Sequence, residues 1–129
     1  MNTILVVEDN EQVRELACEM LVDEGFEVLS AGDAISGMAE FEEHPEIDLI
    51  FSDVIMPGGV TGVQMAKEML EIRPECIILL ATGYQEKGEE LKDKTFGSAK
   101  ISCVSKPYDV EEIPILIYSL LAERPNTPE

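Results

Sequence analysis

Acidic side chains gather where the short apolar runs of this sequence end. The run Ile4-Leu5-Val6-Val7 is followed by Glu8 and Asp9, and the run Asp48-Leu49-Ile50-Phe51 by Ser52 and Asp53. Were the fold to bring these three carboxylates together, they would repel one another, raising at least one pKa unless a cation joins them. Ligands that are all oxygen, with no His or Cys among them, suit Mg²⁺, which keeps several waters and takes carboxylates together with a phosphate oxygen. Thr82 and Lys106 stand at the ends of two further runs.

The elements that must carry these residues follow from hydrophobic spacing. Short β-rich runs start at Ile4, Phe26, Asp48, Cys76 and Ile101, and between them apolar residues recur at helical intervals. Val13, Leu16, Ala17, Met20 and Leu21 form such a stripe before Gly25 stops the first helix, and Ile113, Leu116, Ile117, Leu120 and Leu121 repeat it in the last. The helix over 85–94 is the weakest of the five, being dominated by charge and interrupted by Gly88. Asp33 and Asp109 are suited to cap the second and fifth helices, with Glu112 completing a capping box, and Pro45, Pro74 and Pro125 stand just beyond helix ends. Met65 and Met69 share a stripe with Ala66 and Leu70, as core residues do. Strands that are apolar almost throughout are those covered by helices on both faces. Five βα units of this kind specify an α/β protein with a doubly wound, five-stranded parallel sheet. In such a sheet ligands bind outside the carboxyl ends of the strands, where the polar residues above are found.

Composition narrows the partners. Nine basic against twenty-seven acidic residues in 129 give a formal charge of −18, which repels nucleic acid and anionic bilayers. At 45% hydrophobic the chain is too apolar for a disordered acidic tail, and its longest apolar run, 76–81, is too short to span a membrane. The first eleven residues carry no Lys or Arg, unlike a secretory signal, so a soluble cytoplasmic protein is expected. Cys18, Cys76 and Cys103 lack metal or dithiol spacing and read as small buried hydrophobes. His44 reads as a solvated residue at a helix end, and Gly58-Gly59 as a turn, since the Lys of a phosphate-binding loop is missing.

Four stretches, each at a strand end, carry a family resemblance. They are Val7-Glu8-Asp9-Asn10, Ser52-Asp53-Val54-Ile55-Met56-Pro57, Ala81-Thr82-Gly83 and Ser105-Lys106-Pro107-Tyr108. Together they resemble a response-regulator receiver domain over essentially the whole chain, with the domain at 1–123 and a tail or linker stub at 124–129. The resemblance implies the flavodoxin-like strand order 2-1-3-4-5. It implies that Asp53 is the phosphoacceptor, taking a phosphoryl group from a histidine of a sensor kinase or of a histidine phosphotransfer protein. It also implies that Asp9 and Asp53 hold Mg²⁺, with Glu8 acting mainly through water and the Ile55 backbone carbonyl as a further ligand. Lys106 and Thr82 would contact the phosphoryl oxygens, and the threonine bond would draw in the loop after strand 4. Such a protein is a signalling module rather than an enzyme, and no output domain follows within the 129 residues, so output is expected through a protein partner.

Several residues depart from the family pattern. Cys103 stands where an aromatic residue commonly precedes the lysine by three, and the Gly-rich loop 57–62, with Ala81-Thr82-Gly83-Tyr84, is similar to receivers of hybrid histidine kinases. Ile55 and Tyr84 offer no group to orient an attacking water, which implies slow loss of a phosphoryl group. Pro114 is expected to delay or kink the last helix. Asp9, three residues before Gln12, reads equally well as the cap of the first helix. The alternatives are a receiver belonging to a hybrid kinase and, from another class, a flavodoxin-like electron carrier. The acidic stretch Glu8-Asp9-Asn10-Glu11 would repel the phosphate of a flavin. A dehalogenase-type phosphatase would need an acid where Ile55 stands.

Overall fold

The computed structural model describes residues 2–54, 61–82, 101–105 and 111–122. The chain runs β1 (Thr3–Val7), α1 (Glu11–Asp23), β2 (Glu27–Ala31), α2 (Ala34–Glu43), β3 (Ile47–Asp53), α3 (Gly62–Ile72), β4 (Ile77–Thr82), β5 (Ile101–Ser105) and α4 (Glu112–Ala122). All four strand pairings are parallel and the sheet order is β2-β1-β3-β4-β5. Strand order therefore reverses between β1 and β3, the place where an open sheet of this kind leaves a crevice. The helix expected over 85–94, the cap residue Asp109 of the expected box and the tail 124–129 lie outside the described residues.

The continuous apolar runs serve two cores at once. Because side chains alternate across a strand, Leu5 and Val7 of β1 enter one core while Ile4 and Val6 enter the other. Ile50, Ile78 and Leu80 extend the first core, which α2 and α3 close with Phe41, Met65, Ala66 and Met69. Leu49, Phe51, Ile77 and Leu79 extend the second, closed by Ala17 and Leu21 of α1 and Ile113 and Ile117 of α4. Of the expected stripe, Met65, Ala66 and Met69 are buried and Leu70 packs partly buried against the same core.

Helix ends match their local chemistry, with one reassignment. Asp33 caps α2 by accepting the Ser36 N–H at 2.8 Å, and Gly25 takes φ +99° after the end of α1. His44 ends α2 with its ring nitrogens 3.4 Å from Glu40 and 3.2 Å from Glu46, and Pro45 follows. The cap of α1 is Asn10, not Asp9: its side chain accepts the Val13 N–H at 3.0 Å, leaving the Asp9 carboxylate to the sheet edge.

Three other expectations change. Val13 and Leu16 are 40% and 53% exposed, because the inward side of α1 is centred on Ala17 and Leu21 and those two residues fall beyond its edge. Pro114 does not interrupt α4, since it is the third residue of a helix whose first four N–H groups have no partner within it. Of the three cysteines only Cys76 is buried; Cys18 is half-buried and Cys103 is exposed on β5 opposite Leu80.

Candidate functional site

Parallel register sets the site. Val7 is level with Ser52 across β1 and β3, so the next residues, Glu8 and Asp53, emerge together at the carboxyl edge. Asp53 is level with Ala81 on β4, and Thr82 in turn with Ser105 on β5. Four separate sequence stretches thus end along one edge of the sheet. One carboxylate oxygen from each of Glu8, Asp9 and Asp53 lies within 4.8 Å of the other two. Glu8 and Asp53 are 8% and 4% exposed, whereas Asp9 is open to solvent.

Hydrogen bonds around Glu8 and Asp53 tie the ends of β1 and β3 in place. The Glu8 N–H donates to Ala31 at 3.0 Å, tying the end of β1 to β2. The Asn10 N–H donates to the Glu8 carboxylate at 3.1 Å, and Arg14 Nη1 donates to the Glu8 carbonyl at 2.8 Å. On the β3 side, Ser52 Oγ donates to the Asp53 carbonyl at 2.8 Å, and the Val54 N–H to Ala81 at 3.2 Å. The Gly62 N–H then donates to the Val54 carbonyl at 2.6 Å, docking the start of α3 behind the acceptor strand. A methyl group at Gly62 would collide with the Asp53 carbonyl oxygen, so only glycine permits this approach.

The donor set fits a hard divalent cation. Three carboxylates converge from two neighbouring strands with neither imidazole nor thiolate among them, and two of the three are largely withdrawn from water. Thr82 is placed by its backbone at the end of β4. Its side chain, Ile55 and Lys106 lie outside the described residues, as do Gly58-Gly59, Tyr84 and Asp109; Lys106 directly follows Ser105, the last residue of β5. Sequence reasoning missed Asn10, Arg14 and Gly62, and it missed the capping box of α3. There Thr61 and Gln64 bond reciprocally at 3.1 and 2.9 Å. Its T-x-x-Q spacing is visible in the sequence.

Known proteins resemble this chain in sequence and fold. The sensory transduction protein RegX3 of Mycolicibacterium smegmatis is 29% identical over 121 residues, covering 94% of this chain and 51% of its own length. The phosphate regulon transcriptional regulatory protein PhoB of Escherichia coli is 30% identical over 112 residues, covering 85% and 47%. This chain therefore spans about half the length of these relatives. Among solved structures, the receiver domain of the hybrid histidine kinase CckA superposes with a TM-score of 0.75 at 29% identity, covering 93% of this chain and 99% of that one. Residues 4–118 match the pattern that defines the response regulator receiver domain. That match spans both strands that bring Glu8, Asp9 and Asp53 together, and it takes in nearly all of the described fold. The chain belongs to the family of response regulator receiver domains of two-component systems.

Proposed function

We propose that Asp53 accepts a phosphoryl group from a phosphohistidine, supplied by a sensor kinase or a histidine phosphotransfer protein, in a reaction that depends on Mg²⁺. The convergence of Glu8, Asp9 and Asp53 within 4.8 Å at the junction of β1 and β3 carries this reading. An Asp53 oxygen forms the new P–O bond as the P–N bond to imidazole breaks, and the departing nitrogen keeps the electron pair and takes up a proton. A bound Mg²⁺ would neutralise charge on the transferred group. Asp9 and Asp53 would hold it directly, Glu8 mainly through water, and the Ile55 carbonyl would add a ligand. Lys106 would pair with a phosphoryl oxygen and Thr82 would hydrogen-bond another. Output passes to a protein partner; Cys103 stands at the position where receivers commonly carry an aromatic residue. Likeness to the CckA receiver supports a second setting, in which this receiver serves a hybrid kinase and passes its phosphoryl group to another histidine.

Incubation with a small phosphodonor such as acetyl phosphate, with Mg²⁺, should add the mass of one phosphoryl group, and chelation of Mg²⁺ should prevent it. Asp53→Asn should fold and remain unlabelled. Full labelling of folded Asp53→Asn would overturn the assignment.

A further inference from the structure

Arg14 is placed unusually for a surface cation. On α1 the residues turned towards the sheet recur as Arg14, Ala17, Cys18 and Leu21, the i, i+3, i+4, i+7 pattern of a buried stripe. Ala17 and Leu21 are buried and Cys18 is half-buried. Arg14 occupies the end of this stripe nearest the carboxylates and is itself only partly exposed. A guanidinium there must find an acceptor, and it finds the Glu8 carbonyl at 2.8 Å.

The space for it is made by a second residue from another part of the chain. Gly32, one residue past the end of β2, lies so close that a Cβ there would sit 3.2 Å from Arg14 Nη1. Any larger residue at 32 must push the guanidinium aside by a few tenths of an ångström. Three elements meet at this point: the first turn of α1, the exit of β1 and the exit of β2. Glu8 is thereby held at its N–H by Ala31, at its carbonyl by Arg14 and at its carboxylate by the Asn10 N–H. Of these three ties, only the bond from Arg14 comes from a side chain.

We infer that Arg14 is a positioning residue for the cation site: with Gly32 making room, it fixes the Glu8-Asp9 corner so that those carboxylates meet Asp53 in ligating geometry. This rests on the metal reading above. Two effects of the guanidinium oppose each other. As a positive charge near the site it disfavours a second cation, whereas as a donor to Glu8 it pre-pays the ordering of the ligands. Ordering wins, because the bond goes to a backbone atom of the ligand segment itself.

The test measures Mg²⁺ affinity of the full chain by isothermal titration calorimetry, alongside thermal stability without the ion. Arg14→Met keeps the alkyl stem but loses donor and charge, and should weaken Mg²⁺ binding about three- to tenfold, the net worth of one hydrogen bond. Arg14→Lys keeps a donor of similar reach and should recover most of that loss. Gly32→Ala, which leaves Arg14 in place, should weaken binding in the same direction by a smaller factor. Added to Arg14→Met, Gly32→Ala should have no further effect, because the group it displaces is gone. Affinity in Arg14→Met equal to or tighter than the parent's would overturn the inference, as would a Gly32→Ala effect that persists without the guanidinium. A parent protein that bound no Mg²⁺ would instead overturn the metal reading itself, and this inference with it.

Discussion

Asp33 shows how one side chain couples local structure to pH. Its carboxylate is held below the usual carboxylate range, first by the backbone N–H of Ser36 and then by the Ser36 hydroxyl. A group whose folded value lies below its unfolded value stabilises the fold fully above the unfolded value. That contribution is lost as pH falls through the folded one. Asp33→Asn keeps the cap but cannot titrate. The two proteins should melt within a few degrees of each other at neutral pH, and the parent should lose stability more steeply below pH ~4, the ordinary carboxylate value. Parallel acid-melting profiles would show that the cap does not titrate with folding. Glu46 is lowered too, first by a hydrogen bond from its own backbone N–H, with the His44 ring adding a smaller pull, so it contributes to acid sensitivity with the same sign. Residue types at helix starts made the Asp33 cap legible in advance. For α1 the sequence pointed to Asp9, whereas Asn10 is the cap; both residue types cap well, and only the path of β1 decides that the Asp9 carboxylate stays at the sheet edge.

Between elements, the decisive contact is the docking of α3 on the end of β3. Gly62 and Gly25 are both glycines for a reason, but the reasons differ. Gly25 adopts φ +99° with nothing within 4 Å of where a Cβ would stand, so Gly25→Ala meets only backbone strain, about 1–2 kcal/mol. Gly62→Ala instead drives a methyl into the Asp53 carbonyl and must shift either α3 or the acceptor strand, with an overpacking cost of about 1–3 kcal/mol. The two variants should therefore have comparable stability and different chemistry. Gly25→Ala should label with acetyl phosphate and Mg²⁺ like the parent, whereas Gly62→Ala should label markedly more slowly under conditions where both are folded. Equal labelling rates would mean that the acceptor does not depend on this close approach. Elsewhere α3 is pinned to α2 by Arg73, whose guanidinium donates to the Phe41 carbonyl and lies 3.7 Å from the Phe41 ring centre. On the opposite face Tyr118 of α4 donates to the Glu24 carbonyl at 2.7 Å and packs its ring on Phe26 at 4.8 Å. The helices were legible from apolar spacing, but these cross-links were not, since nothing local in the sequence pairs Tyr118 with Glu24.

At the scale of the molecule, a net charge of −18 sets two responses that can be separated. Self-repulsion should make the protein more stable as salt rises from ~10 to ~150 mM, because the screening length falls from about 30 to about 8 Å. Mg²⁺ should add to this at constant ionic strength by relieving the carboxylates at the sheet edge. At ten times Kd that is about 1.4 kcal/mol, or roughly 3–7 °C in Tm for a domain of this size. The increment should disappear in Asp9→Asn and in Asp53→Asn, while the response to sodium chloride persists. An Mg²⁺ increment that survived both substitutions would place the ion elsewhere.

By itself the sequence determined the alternation of strand and helix, the burial of nearly continuous apolar strands between two cores, and the residue types available at each strand end. Periodicity and side-chain chemistry are local properties, written into neighbouring residues. The resemblance of four short stretches to receiver domains supplied the strand order, which local pattern does not contain. Only the tertiary structure decided that Glu8 and Asp53 emerge level with one another, that Val13 and Leu16 fall outside the packed side of α1, and that Arg14 reaches back to Glu8 through the space left at Gly32. Each of these depends on register and helix rotation. Those are fixed by how whole elements pack, not by the residues next to them in the chain.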